Sequence, residues 1–330
     1  MRPYLIYFGI GILAIAFLAF IVHERNKPSR IAFSKNKEYA VLSISGTKPG
    51  SDSIWVVSIP DGDDFRVNRF RSQFGQYTRI KYLTGTKPDS ESIVLLNVHL
   101  PHKGFKPYLA WQVDAGSRYR TIDLSIDISK IDHLVLSPDR QLLAFTYQTF
   151  TDGKPTTSIW IADLNAGRAH QITHPEIGSW DSYPQWRSDQ KAILYSHTYS
   201  ENKTLMVKIC EYTFDEGRSN VIIGGSEGAS RATYGDGNEI LTYSNKGLAS
   251  YSRTDGKLVR VIAPRSVFSS DVYMSGGIAW FSQSKVIVLP MSTAAGEAVL
   301  YQINNSGTVG TKRRLTDHII TYISALSPDA

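Results

Sequence analysis

The sequence predicts an all-β fold, a six-bladed β-propeller preceded by one N-terminal transmembrane helix, with a seven-bladed form whose last blade is incomplete as the alternative. Three observations predict it. The stretch from Tyr4 to Val22 carries no charge, the chain after Pro28 breaks into short apolar runs separated by turn residues, and one pattern in those runs recurs about every 50 residues. The expected divisions are a short tail (residues 1–3), an anchor helix (4–22), a linker (23–30) and the propeller (31–330).

The apolar stretch is long enough to span. Roughly 19 residues at about 1.5 Å each make a helix of about 28 Å, close to the hydrocarbon thickness of a bilayer. The competing explanation is a cleaved secretory signal, which has a shorter apolar region ending in small residues. The A-x-A match Ala14-Ile15-Ala16 sits inside the apolar run with Phe17-Leu18 directly after it, and no cysteine stands nearby for lipid attachment. A retained anchor is therefore expected. Arg25, Lys27 and Arg30 follow the stretch and only Arg2 precedes it, so flanking charge alone would place the large domain in the cytoplasm.

Each unit of the repeat begins with a short strand ending in a bulky residue, then a polar turn, then a second strand with apolar residues two apart. One copy reads His133-Leu134-Val135-Leu136-Ser137-Pro138-Asp139 followed by Leu143 and Phe145; the next reads Tyr183-Pro184-Gln185-Trp186-Arg187-Ser188-Asp189 followed by Ile193 and Tyr195. With the Asp139 position as marker, equivalents fall at Asn36, Asp89, Asp139, Asp189, Gly237, Gln283 and Asp329, at intervals of 53, 50, 50, 48, 46 and 46 residues. Spacing of two puts both apolar side chains on one face of a strand.

A third strand and a turn follow in each unit. Examples are Ile159-Trp160-Ile161 before Ala166-Gly167 and Leu248-Ala249-Ser250-Tyr251 before Asp255-Gly256. Such turn pairs accept the positive φ of tight hairpins. A fourth short strand closes the unit, as in His170-Gln171-Ile172-Thr173 and Arg314-Leu315-Thr316. Four antiparallel strands at this period describe a propeller blade, and a sandwich gives no reason for the period. Blades bury their faces against neighbours, so Trp55, Trp111, Trp160, Trp186 and Trp280 are expected as core between blades.

Composition agrees and excludes several classes. The chain has 330 residues, 42% hydrophobic and 20% charged, with 18 Tyr, 13 Phe and 6 Trp, which suits strands. Net charge is +6, but the basic residues are scattered and no nucleic-acid partner is expected. The single cysteine, Cys210, excludes an intramolecular disulfide and a multi-cysteine zinc site, and its apolar run Leu205-Met206-Val207-Lys208-Ile209-Cys210 marks it as strand filling.

The segment from Leu136-Ser137-Pro138-Asp139 through Ile159-Trp160-Ile161-Ala162-Asp163-Leu164 to Gln171-Ile172-Thr173 resembles the repeat of TolB and of the propellers of the prolyl oligopeptidase family. Arg314-Leu315-Thr316-Asp317 before Leu326-Ser327-Pro328-Asp329 resembles it too. The match spans roughly Ile31 to Ala330 and is sharpest in repeats three and four. TolB carries an α/β domain where this chain carries the apolar stretch, and prolyl oligopeptidases carry a hydrolase domain after their propeller. Members of the family are mostly exported. The resemblance therefore implies, against the flanking charges, a single-pass protein of the inner membrane with an extracytoplasmic, periplasmic propeller.

Seven markers bound six complete units. Either Tyr322 to Leu326 seals the ring against the blade begun near Ile31, or a seventh blade is truncated. No Gly-rich phosphate loop, G-x-S-x-G elbow or H-E-x-x-H pair is present, so no catalytic residue is assigned. Oligogalacturonate lyases, which have similar repeats, hold a metal in the funnel. Here only His133 opens a channel-lining strand, and neither metal nor cofactor is expected.

Propellers bind ligands mostly where the loops entering the innermost strands converge. The candidates there are Tyr77, His133, Trp180, Asp181, Tyr183, Arg231 and Tyr322. The expected function is a membrane-tethered interaction or ligand-binding module of the cell envelope, with an envelope protein or a cell-wall component as partner. The alternative is a lyase or hydrolase acting on glycans or lactones in the funnel. A third possibility is a remnant whose partner domain is encoded elsewhere.

Overall fold

The computed structural model describes residues 38–45, 53–59, 64–67, 78–84, 92–100, 104–112, 119–295, 297–316 and 319–326. The anchor helix expected over 4–22, the linker 23–30 and the markers Asn36, Asp89 and Asp329 lie outside the described residues. Among the described residues no helix is long and apolar enough to cross a membrane.

Short strands run through the rest. They begin with β1 (Glu38–Ser45), β2 (Ser53–Ile59), β3 (Asp64–Val67), β4 (Thr78–Thr84), β5 (Ser92–Leu100), β6 (Gly104–Gln112) and β7 (Tyr119–Ile122). Next come β8 (Ile131–Leu136), β9 (Leu142–Thr151), β10 (Lys154–Asp163), β11 (Arg168–Gln171), β12 (Trp180–Trp186), β13 (Ala192–Glu201), β14 (Thr204–Thr213) and β15 (Arg218–Ile223). Then follow β16 (Ser230–Tyr234), β17 (Glu239–Ser244), β18 (Gly247–Ser252) and β19 (Leu258–Pro264). The last are β20 (Val272–Met274), β21 (Ala279–Phe281), β22 (Val286–Thr293), β23 (Ala298–Asn304), β24 (Val309–Thr316) and β25 (Ile319–Leu326).

They pair as sequence neighbours. β4 to β7 and β16 to β19 are four-stranded antiparallel sheets; β8 to β11 and β12 to β15 are two more, joined by one parallel bridge between Thr157 and Trp180. β20 and β21 both pair with β22, which continues to β23 and β24. The remaining sheet has the order β25-β1-β2-β3, so the last described strand pairs with the first, from Tyr39 opposite Leu326 to Ser45 opposite Ile319. Glu38, buried at the start of β1, accepts the backbone N–H groups of Gln283 (3.2 Å) and Ser284 (2.9 Å) in the turn before β22. β8 lies beside β4 and β12, β12 beside β16, β16 beside β21, and β25 beside both β21 and β4.

Burial explains the composition of each strand. β22 is buried along its whole length, which suits its unbroken apolar start Val286-Ile287-Val288-Leu289, because a strand covered on both faces has no polar side to present. Fourth strands are edges, and Arg218 to Val221 of β15 are exposed. The apolar clusters bridge consecutive sheets. Leu109 and Ile122 pack with Leu136, Leu143 and Phe145; Ile159 and Ile161 with Trp186, Ile193 and Tyr195; Leu194 and Ile209 with Ala232, Ile240 and Tyr251. Leu241 and Leu248 then pack with Ile287, Val299 and Tyr301, and Phe281 and Val288 with Ala40 and Leu42.

Of the tryptophans expected as core, Trp186 is buried and donates Nε1–H to the Val135 carbonyl at 3.2 Å, tying repeat four to repeat three. Trp160 and Trp280 are half-buried against their clusters. Trp55 and Trp111 lie in described strands, but their side chains lie outside the described set.

The polar turn of the repeat is closed by its own side chains. Ser137 Oγ donates to Asp139 Oδ1 (2.6 Å), which also accepts from Gln141 N (3.0 Å); one repeat on, Asp189 Oδ1 accepts from Arg187 Nε (2.7 Å) and Lys191 N (2.9 Å). In the next unit Gly235 N donates to Glu239 O, so the turn is a residue shorter, and Gly237 takes the positive φ that Arg140 and Gln190 hold. The turn after the third strand requires glycine for a second reason. Gly256 and Gly307 have φ of 66° and 90°, and a Cβ on them would collide with the carbonyls of Ile222 and Ile262, each in the fourth strand of the preceding unit.

Candidate functional site

Three first strands carry the same irregularity. In β8, β12 and β16 two residues face a single residue of the second strand, between Asp132 and Val135, Ser182 and Gln185, and Ser230 and Thr233. The first extra residue in each is non-glycine in the left-handed region: His133 (φ 45°), Tyr183 (55°) and Arg231 (54°). Such a conformation costs about 1–3 kcal/mol and persists only where the surroundings enforce it. Here Asp132 Oδ1 accepts the His133 N–H at 3.1 Å, and Ser196 Oγ accepts that of Arg231 at 3.0 Å.

The bulges re-aim these side chains toward one another. The His133 and Tyr183 rings lie 4.2 Å apart at 39°, and Arg231 Cζ stands 4.9 Å from the centre of the Tyr183 ring. The three residues are thus a column of imidazole, phenol and guanidinium, one member from each of three successive repeats. Arg231 reaches further and donates from one terminal nitrogen to the Met274 carbonyl at 2.5 Å; its Nε is buried without a partner. Beside His133 a cleft of about 180 Å³ is lined by Lys130, Asp132, Gln148 and Ser182 among others.

Asp181 is 1% exposed and paired. Its Oδ1 is 2.7 Å from His197 Nδ1, and its backbone carbonyl accepts from Thr157 Oγ1 at 3.0 Å. His197 lies inside β13, opposite Asp181, and stacks on Tyr199 at 5.6 Å. Trp180 is half-buried and pairs with both Thr157 and Thr198. Of the expected site residues, His133, Tyr183 and Arg231 are brought together, while Trp180 and Asp181 lie two to three positions along β12 from Tyr183. Tyr322 is placed by its backbone alone, opposite Ser43, and Tyr77 lies outside the described residues.

Nearby nucleophiles are held inert. Burial pushes the Cys210 thiol up to about 12, and it raises the Tyr195 phenol as well, with Cys210 and Asp181 adding to the effect. Tyr234 is also raised, by burial first and then by Glu211, whose carboxylate accepts its hydroxyl at 2.9 Å. Among the described residues no three His, Cys, Asp or Glu side chains are grouped as metal ligands would be.

Sequence reasoning missed His197 as the partner of Asp181, and it missed Arg265. The guanidinium of Arg265 lies over the Tyr243 ring at 5.2 Å and donates to its hydroxyl. Arg265, Tyr243 and Arg231 line one cleft with Tyr273 and Met274, of about 420 Å³.

Small antiparallel sheets, mostly of four sequential strands, with apolar clusters between consecutive sheets, make an all-β fold of the propeller type. It is TolB-like. TolB from Acinetobacter baumannii superimposes with a TM-score of 0.62 at 14% identity, over 91% of this chain and 68% of that one. The tricorn protease matches with a TM-score of 0.50 at 11% identity, over 84% of this chain and 30% of that one. A prolyl endopeptidase matches with the same score and identity, over 88% and 45%. This chain thus spans less than half of either peptidase, and at these identities the likeness is one of fold. No family model matches the chain, and no curated protein matches its sequence.

Proposed function

We propose that the chain is a six-bladed propeller, anchored by residues 4–22 in the inner membrane with its propeller in the periplasm, whose channel mouth docks an envelope protein or a cell-wall component. Six blades are supported by the run of neighbouring first strands β4, β8, β12, β16, β21 and β25, and by the pairing of β25 with β1. The docking role rests on one observation: three successive repeats keep a strained non-glycine residue at the same bulge, and the strain brings His133, Tyr183 and Arg231 into a single column. Packing alone gives no reason to hold three such residues there, whereas recognition of a partner by an aromatic and a cation does.

The test is photo-crosslinking from position 183 in the intact protein in its native membrane. One or a few envelope components should be captured, and Arg231→Glu should abolish their capture. Recovery of none, together with turnover of a glycan or lactone by the purified protein, would overturn docking in favour of an enzyme. The pairing of buried Asp181 with half-buried His197 at 2.7 Å is the observation favouring that alternative, and His197→Gln should then abolish turnover. Sidedness is tested by protease added outside the cytoplasmic membrane: the propeller should be digested in spheroplasts, and protection until lysis would place it in the cytoplasm.

A further inference from the structure

The cleft of about 420 Å³ between the starts of β16 and β20 and the β17–β18 hairpin holds two arginines and no acidic residue. Arg231 is half-buried, its Nε has no partner, and its interactions are a backbone carbonyl and the face of Tyr183. Arg265 is exposed, and among the described residues its guanidinium is placed against Tyr243 alone. Neither guanidinium makes an ion pair among the described residues. The carboxylate nearest to Arg231 along the chain, Glu227, is already engaged by Lys246 Nζ at 2.8 Å and Tyr251 Oη at 3.1 Å.

A partly desolvated guanidinium without a carboxylate is costly, and proteins normally pair it. Arg231 is such a group, and the exposed Arg265 beside it adds a second positive charge with N–H donors to spare; guanidinium donors match the oxygens of a carboxylate or phosphate in parallel pairs. Ser230 and Asn245 add hydroxyl and amide donors to the wall. Gly228 (φ 61°) comes so close to Asn245 that a Cβ would lie 2.5 Å from its amide nitrogen.

We propose that this cleft is an oxyanion-binding subsite, with Arg231 as the half-buried anchor and Arg265 as the outer clamp, that receives a carboxylate or phosphate group of the ligand. For its biological role the subsite rests on the docking face proposed above; anion binding itself is measured separately. Isothermal titration of the full-length protein in neutral detergent with succinate, and separately with inorganic phosphate, should show saturable binding that weakens with added salt. Tighter binding of succinate assigns a carboxylate, and of phosphate a phosphoryl group. Arg265→Gln, at an exposed position, should weaken binding about tenfold with no change in unfolding midpoint, and Arg231→Gln at least as much. Arg218→Gln on the edge strand β15 should have no effect.

Absence of saturable binding by either anion, or binding unchanged in Arg265→Gln, overturns the subsite. Should Arg231→Gln fail to fold, Arg265→Gln still decides. Crosslinks from position 183 without anion binding would leave docking standing and the subsite refuted; anion binding without crosslinks would do the reverse.

Discussion

Cys210 shows what burial does to a single functional group. Its thiol lies between sheets, 5% exposed, and is pushed up to about 12, so almost none is thiolate at neutral pH. Alkylation at pH 8 should be slow in the folded protein and fast in denaturant, and as the only cysteine it gives one signal. The pH dependence follows. The folded thiol holds its proton where the unfolded one, with a value near 9.0, has lost it, so the neutral group's contribution to stability is complete below about pH 9 and falls as pH rises toward 12. A urea midpoint unchanged over that range would contradict this. Glu211 is a buried carboxylate shared by Arg187 (3.6 Å), Arg253 (3.3 Å) and Tyr234. Glu211→Ala should lower stability by about 1–3 kcal/mol in urea unfolding, because the Tyr234 hydroxyl loses its acceptor.

At the scale of elements, turns and bulges set the geometry. Gly256 and Gly153 both have positive φ, 66° and 72°, but a Cβ at 256 meets the Ile222 carbonyl while one at 153 meets open space. Gly153→Ala should cost about 1 kcal/mol from backbone strain alone. Gly256→Ala should cost clearly more, since β15 of the preceding unit must shift; equal urea midpoints for the two variants would refute that inter-sheet role. The bulges were less legible than the turns. Counting outward from Trp186 opposite Ile193 without a bulge puts His197 opposite Ser182; the bulge at Tyr183 moves it opposite Asp181 and creates the pair. Nothing in the local pattern announces that one-residue change.

At the scale of the whole molecule, each sheet has two faces to cover and only neighbours to cover them with. In the sheet β25-β1-β2-β3 the pairing of β25 with β1 joins residues 274 to 287 positions apart, and Glu38 adds a second tie to the turn at Gln283 and Ser284. Removing residues 317–330 should therefore do more than delete a terminus. Hydrogen exchange in β1 should rise sharply and the unfolding midpoint should fall, whereas an unchanged exchange pattern would show that β25 is dispensable to that sheet.

Within the described residues the sequence by itself determined the strands, the turn glycines and many of the apolar positions between sheets, Trp186 among them, because strand period, turn chemistry and apolar spacing are local properties. Six of its seven candidate residues lie on described strands, and three of these, His133, Tyr183 and Arg231, meet in the structure. Tertiary structure alone decided that they meet, that Asp181 pairs with His197, and that Arg265 shares a cleft with Arg231. Those contacts depend on bulges and on the stacking of one unit against the next, distances between residues tens of positions apart that no local pattern encodes.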